Sequence, residues 1–378
     1  MTNPVDRKLR VGVIFGGRSG EHEVSLVSAT SVINALDTAK YDVVPIGITK
    51  GGRWISSRES LQRLKSKEGL EREPERFLVP EPNRQSLVSL SGERYAEMKL
   101  DVVFPVVHGT FGEDGTLQGL LELANIPYVG AGVLASAVGM DKIVQKQLHK
   151  QAGLPVVKYV WFLSSNCREN PKKVAAAVEK TLRYPVFVKP ANTGSSVGIS
   201  KAYGRKELQV AVELAAEFDR KVICEQGVRN AREIEVSVLG NDEPIASVPG
   251  EIIPSNEFYD YDAKYVDGKS RADIPAKMPK EIARRLRRLA VNAFTVLDCA
   301  GMARVDFFVT KKTNNIYLNE INTIPGFTAI SMYPKLWEAS GISYSQLLDR
   351  LIQLALDRYK EKSKSRTSYR PREEWYIS

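Results

Sequence analysis

The apolar positions of this chain change their period along its length. LRVGVIFG (9–16), YDVVPIGI (41–48) and DVVFPVVHG (101–109) are nearly continuous apolar runs, the pattern of strands buried on both faces. Between the first two, Val24, Val27, Ala29, Val32, Ile33 and Leu36 recur at helical spacing and predict a helix from about Glu23 to Leu36. Strand, glycine turn, helix and strand in that order predict a parallel sheet. GTLQGLLELANIP (115–127) reads as another helix ending before a proline. Residues 56–97 are polar and charged with few periodic runs, and read as an insertion or meander.

A second unit begins near residue 130. DKIVQKQLHKQAG (141–153) reads as a helix closed by Gly153, and YPVFVKP (184–190) and KVICEQGV (221–228) read as strands. A third unit opens with AREIEVSVLG and closes with the helical ISYSQLLDRLIQLALDRY. The expected division is 1–129, 130–228, 229–360 and a basic tail 361–378, with no internal repeat. The predicted class is α/β for the first unit, with its parallel sheet, and α+β for the rest.

GMARVDFFVTKKTNNIYLNEINTIPG (301–326) carries the densest chemistry. Two strand-like runs flank a polar turn and predict a hairpin. Glu320 and Asn322 are two residues apart and share a face, and the hairpin brings both near Asp306. Two carboxylates and an amide suit a hard divalent cation that shares its shell with phosphates. Arg304 lies on the same face as Asp306, where a fixed cation can stabilise developing negative charge. The plain alternative is a surface hairpin with solvated charges.

At 378 residues the chain exceeds the ~250–300 at which single cores stop growing, so two or three domains are expected. No apolar run approaches the ~18–20 residues of a membrane span, and the N-terminal residues lack a signal-peptide pattern, so a cytoplasmic location without membrane contact is expected. Cys167, Cys224 and Cys299 form no CxxC or zinc pattern and read as buried thiols. The net charge of +9 is concentrated in KEIARRLRRLA (280–290) and the tail. In the former, Ile282, Leu286 and Leu289 share one face and the arginines fall on a solvated one. No nucleic-acid reader motif accompanies either segment, so no nucleic-acid partner is expected.

Two loops remain. GGRSGEHEVSL (16–26) is not GxGxxG, yet it places Glu21 and His22 at a helix mouth beyond the carboxyl end of a strand, where open parallel sheets bind ligands. KPANTGSSVGIS (189–200) is not a P-loop, yet Lys189 and the backbone from Gly194 to Gly198 could wrap phosphate oxygens. EFYDYDAKY (257–265) is unusually aromatic and acidic for a linker.

These segments, with FPVVHGTFGEDGTLQGLLE (104–122), GMDK (139–142) and NEINTIPGFT (319–328), occur in an order that resembles the D-alanine–D-alanine ligase family of the ATP-grasp superfamily. The resemblance runs from about residue 9 to 358. It implies an N-terminal parallel-sheet domain before a two-part ATP-grasp fold, with ATP between two antiparallel sheets. It implies that Lys142 and Lys189 hold the α- and β-phosphates, with Ser196 and Val197 in the phosphate loop. Glu225 would accept from the adenine amino group and Glu233 from the ribose hydroxyls. Lys264 would approach the γ-phosphate. Asp306, Glu320 and Asn322 would bind two Mg²⁺ (or Mn²⁺) ions. Glu21, linked to Ser195 and Tyr265, would bind the ammonium of the first D-alanine, and His108 would lie near its carboxylate. Ser331 would bind the carboxylate of the second D-alanine, while Arg304 and the Gly326 N–H would hold the oxyanion. A homodimer is likewise implied, with EFYDYDAKY as a lid over the site. A D-alanine–D-lactate ligase is the nearest rival, and Tyr265 favours the amine-accepting enzyme. A non-catalytic nucleotide-binding regulator would be expected to have lost metal or arginine positions, and these are all present.

Overall fold

The computed structural model describes residues 7–91, 94–194, 196–253 and 271–369. Leu9–Gly16 runs parallel to Tyr41–Ile48 on one side and to Val102–Pro105 on the other. The apolar runs are therefore the middle of a sheet, and the short strand Trp54–Ile55 closes its edge in antiparallel sense. The helix His22–Ala35 is pinned to the carboxyl ends of these strands through Ser25. Its hydroxyl accepts from Gly16 N at 2.7 Å and donates to Val106 O at 2.6 Å.

Two expectations change here. The run 101–109 is a strand only over Val102–Pro105. Val106 N makes a last bond to Ile14 O at 2.8 Å, and the chain then leaves the sheet while Val106, Val107 and His108 stay buried. Residues 56–97 hold a helix, Ser60–Ser66, and a three-stranded antiparallel sheet of Arg76–Leu78, Ser86–Ser91 and Arg94–Lys99. These elements are short, and Leu78, Leu87 and Val88 supply most of their buried contact, so their period was too brief to read.

The second sheet is antiparallel, in the order Ser200–Ala202, Val186–Pro190, Lys221–Gln226, Tyr159–Leu163. Helices Pro171–Thr181 and Arg205–Phe218 cover one face of it with Val174, Val178, Leu208 and Val212. The third sheet runs Arg271–Asp273, Gly250–Ile253, Ala231–Gly240, Gly301–Thr310, Ile316–Asn322, with Ile245–Ala246 paired to Ala231–Gly240. Helix Lys280–Val296 packs Leu286, Ala290 and Phe294 under this sheet and leaves Arg284, Arg285 and Arg288 exposed. Ala131, Ala135 and Leu154 are buried in that same core.

The helix Tyr344–Lys362 begins with a capping box between Ser343 and Gln346. It joins the third unit to the first. Leu347, Leu348, Leu351 and Ile352 share a core with Val11, Val13, Val102 and Phe104. Asp349 accepts from Tyr41 Oη at 2.8 Å and Lys40 Nζ at 2.6 Å. Cys167, Cys224 and Cys299 are free and buried. No helix among the described residues is long and apolar enough to cross a membrane.

Candidate active site

One cleft of about 940 Å³ opens between the second and third sheets and reaches the first unit. Its lining includes Glu21, His108, Lys142, Lys189, Ser196, Glu225, Glu233, Arg304, Asp306, Glu320, Asn322, Gly326 and Ser331. Val197 is not on the lining, and its N–H turns back to Gly194 O at 3.1 Å. Ser195, Lys264, Tyr265 and the EFYDYDAKY segment lie outside the described residues.

The third-sheet wall is acidic. Asp306 pairs directly with Glu320, Arg304 with Asn322, and Glu235 of the neighbouring strand with Asp306. The alternation of Gly301–Thr310 buries Ala303, Val305, Phe307 and Val309 in the core and turns Arg304 and Asp306 to the cleft. On the partner strand a bulge intervenes: Leu318 pairs with Phe307 but Glu320 with Asp306, so Asn319 is the extra residue. Leu318 and Glu320, two apart, would share a face on a regular strand. The bulge puts Leu318 in the core and Glu320 in the cleft.

Arg304 grips Asp306 through both ends of its fork, at 2.8 and 2.7 Å, and lies 3.1 Å from Glu235. Burial opposes its charge, but Asp306 and Glu235 outweigh that and hold the guanidinium well above its ordinary range. Asn322 Oδ1 accepts from Ile324 N at 3.1 Å. Like charges directly opposite on neighbouring strands repel, and two facing carboxylates beside an amide oxygen fit a hard divalent cation. Among the described residues no group of three His, Cys, Asp or Glu side chains has metal-binding spacing, so phosphate oxygens and water would have to complete the shell.

The second-sheet wall is basic. Lys189 and Glu225 sit on adjacent antiparallel strands, with Lys189 opposite Ile223, so both side chains point to one face. Their charges meet at 2.8 Å, and Lys146 Nζ approaches the other Glu225 oxygen at 3.0 Å. Burial would raise the Glu225 carboxyl, but Lys146 and Lys189 overturn this and bring it down to about 2. Burial also works against Lys189, whose charge Glu225 and Glu320 nevertheless hold above the ordinary range. Lys142 is pulled below its range, chiefly by burial and further by Lys189. Its ammonium donates to Thr193 O at 2.6 Å and so ties the helix Lys142–Gln151 to the glycine loop. Burial likewise lowers Lys146, so of the three lysines around Glu225 it is Lys189 whose charge is held most firmly, and together they bias this wall toward positive charge, as a polyphosphate site requires.

The first unit contributes the third wall. Glu21 stands at the helix mouth, and methyl groups added at Gly109 or Gly194 would sit 2.7 or 2.5 Å from its Oε2. The carboxylate thus occupies a slot between the HG turn and the phosphate loop that only glycine leaves open. Ser19 Oγ donates to His108 O at 2.7 Å. The His108 ring reaches Ile324 O at 3.1 Å, Ser28 Oγ at 2.9 Å and Glu113 at 3.5 Å. Burial lowers His108, but the hydrogen bond and charge of Glu113 and the charge of Glu21 outweigh it, so the imidazole titrates above its ordinary value. Ser331 Oγ is 2.7 Å from Thr328 Oγ1 and accepts from Thr328 N at 3.0 Å, and it packs against Gly326.

Sequence reasoning passed over Lys146, Glu235 and Glu113. Each carried a signal. Lys146 follows Lys142 by one helical turn, Glu235 shares a strand face with Glu233, and Glu113 lies inside the HGTFGEDG segment.

Two antiparallel sheets that close on a cleft, one wall lined by lysines and the other by carboxylates, define an ATP-grasp architecture. The family profile "D-ala D-ala ligase N-terminus" matches residues 10–131, and "D-ala D-ala ligase C-terminus" matches residues 148–353. A D-alanine–D-alanine ligase of Chloroherpeton thalassium is 53% identical over 360 residues, covering 94% of this chain and 98% of the relative. One from Natranaerobius thermophilus is 51% identical, covering 96% and 99%. Among solved structures, the D-alanine–D-alanine ligase of Coxiella burnetii is similar with a TM-score of 0.82 at 39% identity, covering 94% of this chain and 96% of that one. The VanG D-Ala:D-Ser ligase of Enterococcus faecalis is similar with a TM-score of 0.83 at 40% identity, covering 92% and 100%. The chain belongs to the D-alanine–D-alanine ligase family.

Proposed function

We propose that this protein joins two D-alanine molecules at the expense of ATP, through an acyl phosphate, to supply D-alanyl-D-alanine for peptidoglycan. The observation that carries the reading is contiguity: Glu21, Lys189 and the Asp306–Glu320 pair open onto one cleft. An amino-acid ammonium, a polyphosphate and a metal can therefore meet there.

In this reading Lys142 and Lys189 hold the α- and β-phosphates, with Ser196 and Val197 in the surrounding loop and Lys264 toward the γ-phosphate. Glu233 takes the ribose hydroxyls. Glu225 is engaged by two lysines, but a carboxylate offers about four acceptor sites, which leaves capacity for the adenine amino group. Asp306, Glu320 and Asn322 would hold two Mg²⁺ or Mn²⁺ ions, which when bound neutralise the phosphates and orient them for in-line transfer. Glu21, with Ser195 and Tyr265, fixes the ammonium of the first D-alanine, and His108 faces its carboxylate.

That carboxylate attacks the γ-phosphorus and ADP leaves. The amine of the second D-alanine, whose carboxylate Ser331 binds, then attacks the activated carbonyl. Arg304 and the Gly326 N–H hold the tetrahedral oxyanion until the C–O bond to phosphate breaks, the departing phosphate taking the proton that the amine gives up. The relatives that are half identical bear the name D-alanine–D-alanine ligase, which supports D-alanine over D-lactate at the second position. A homodimer and a cytoplasmic location rest on the family resemblance.

The acyl-phosphate route is tested with D-alanine labelled by ¹⁸O in its carboxylate. One label per turnover should appear in inorganic phosphate; label retained entirely in the dipeptide and unreacted D-alanine would refute the route.

A further inference from the structure

Ile316–Asn322 is an edge strand of the third sheet, and the outward backbone groups near its end need partners beyond those that Pro155 and Val156 give Leu318. The helix Lys142–Gln151 supplies them at one place. Lys146 Nζ donates to Asn319 O at 2.6 Å, and Gln145 Oε1 accepts from Ile321 N at 3.2 Å. Asn319 and Ile321 are the two neighbours of Glu320, and Asn319 is the bulged residue that turns Glu320 into the cleft. Gln145 is itself held, because its Nε2 donates to Gly139 O at 2.8 Å. The Lys146 side chain is only 2% exposed, and the same ammonium lies 3.0 Å from Glu225.

We propose that Lys146 is a positioning residue for the metal-binding carboxylate. With Gln145 it grips the backbone on both sides of Glu320, and through Glu225 it locks that grip to the lysine wall. Phosphate-binding and metal-binding walls are thereby kept in register by one buried ammonium. The inference rests on the reading of the hairpin as the metal site. A hydrophobic residue at 146 would fill the space but leave the Asn319 carbonyl unpaired, freeing the bulge to relax and Glu320 to swing.

The test is Mn²⁺ binding to the full chain with a non-hydrolysable ATP analogue, read by the electron paramagnetic resonance of bound Mn²⁺, alongside thermal unfolding. Glu320→Gln should abolish the protein-dependent signal; if it does not, the metal reading itself falls. Given that loss, Lys146→Met should raise the Mn²⁺ half-saturation on the order of 10-fold, the range for residues that orient metal ligands. Gln145→Leu should raise it by less. His149→Ala is the control for general loosening. His149 lies on the same helix and reaches Ala293 O at 3.3 Å, away from the hairpin. It should lower the unfolding temperature without moving Mn²⁺ affinity. Wild-type affinity in Lys146→Met, or an equal loss in His149→Ala at an equal drop in unfolding temperature, would overturn the proposal.

Discussion

Asp306 and Glu320 stand directly opposite each other on neighbouring strands, two acids where a sheet ordinarily places complementary side chains. The arrangement sacrifices stability for a site. Glu320→Gln relieves that repulsion but also withdraws the charge that Glu320 lends Lys189 and Arg304, so the metal-free protein is expected to change in stability by no more than ~1 kcal/mol, while ligase turnover is lost. Unfolding in the presence of a chelator, measured beside ADP release, checks both halves. A folded variant with near-normal turnover would remove the metal assignment.

Arg304 has two functions that its replacement exposes together. In the proposed mechanism it holds the oxyanion, and a lost donor of that kind costs about 10²–10³ in turnover. It also neutralises Asp306 and Glu235 in a buried setting, and breaking such a group by removing one partner costs about 3–5 kcal/mol. Arg304→Ala should show both losses. Saturating Mg²⁺ and nucleotide should restore the stability by supplying positive charge, but not the turnover. Calorimetry with and without MgADP separates the two.

Glu225 links stability to pH. Its folded pKa lies at about 2 against an ordinary 4.5, so it binds fewer protons folded than unfolded in that window. Its contribution is present above about 4.5 and is lost as pH falls toward 2. Glu225→Gln should flatten the acid limb of the stability curve in this window and lower stability at neutral pH, since Lys146 and Lys189 would lose their shared counter-ion. A variant with the wild-type acid limb would contradict the assignment.

His108 has the opposite sign. Its folded pKa is raised, so the stability it contributes is complete below the unfolded value and fades as pH rises through the folded one. Burial raises the Glu113 carboxyl as well, against the hydrogen bond and charge of His108; Glu113→Gln removes this partner and leaves only Glu21 and the Ile324 carbonyl to oppose burial, so the imidazole should titrate lower. NMR of the His108 ring across pH 5–9 in both proteins reads this, and an unmoved titration would show that Glu113 is not the cause.

The slot around Glu21 predicts a separation of substrates. A methyl at position 194 would meet the Glu21 carboxylate at 2.5 Å and push it aside. Gly194→Ala should raise KM for the first D-alanine by at least ~10-fold while KM for ATP changes little, if the phosphate loop keeps its path. Equal effects on both would place the disturbance in the loop itself.

What could be read from the sequence was what lies close in it. Asp306, Glu320 and Asn322 belong to one hairpin, and period two plus a polar turn sufficed to bring them together. Lys189 was legible from a strand that ends in a glycine-rich loop. The bulge at Asn319 left a trace that is easily passed over: the apolar positions shift phase from Ile316 and Leu318 to Ile321 across the polar pair Asn319 and Glu320, as they also do where a strand simply ends. Lys146 reaches Asn319 across 173 residues of sequence, and His108 reaches Ile324 across 216, and no local pattern carries such contacts. The small sheet within 76–99 escaped because its strands are short and serine and charged residues, interspersed among the apolar ones, break their period.

In the proposed function this cleft makes a D-alanyl-D-alanine bond. The most direct measurement is ADP release by the purified protein with ATP and Mg²⁺, on adding D-alanine alone, L-alanine alone, or D-alanine with D-lactate or D-serine, with every product identified by mass. Release should require D-alanine, yield D-alanyl-D-alanine, and give little ester or mixed dipeptide at neutral pH. ATP binding without D-alanine-dependent turnover, or a mixed product in preference to D-alanyl-D-alanine, would contradict it.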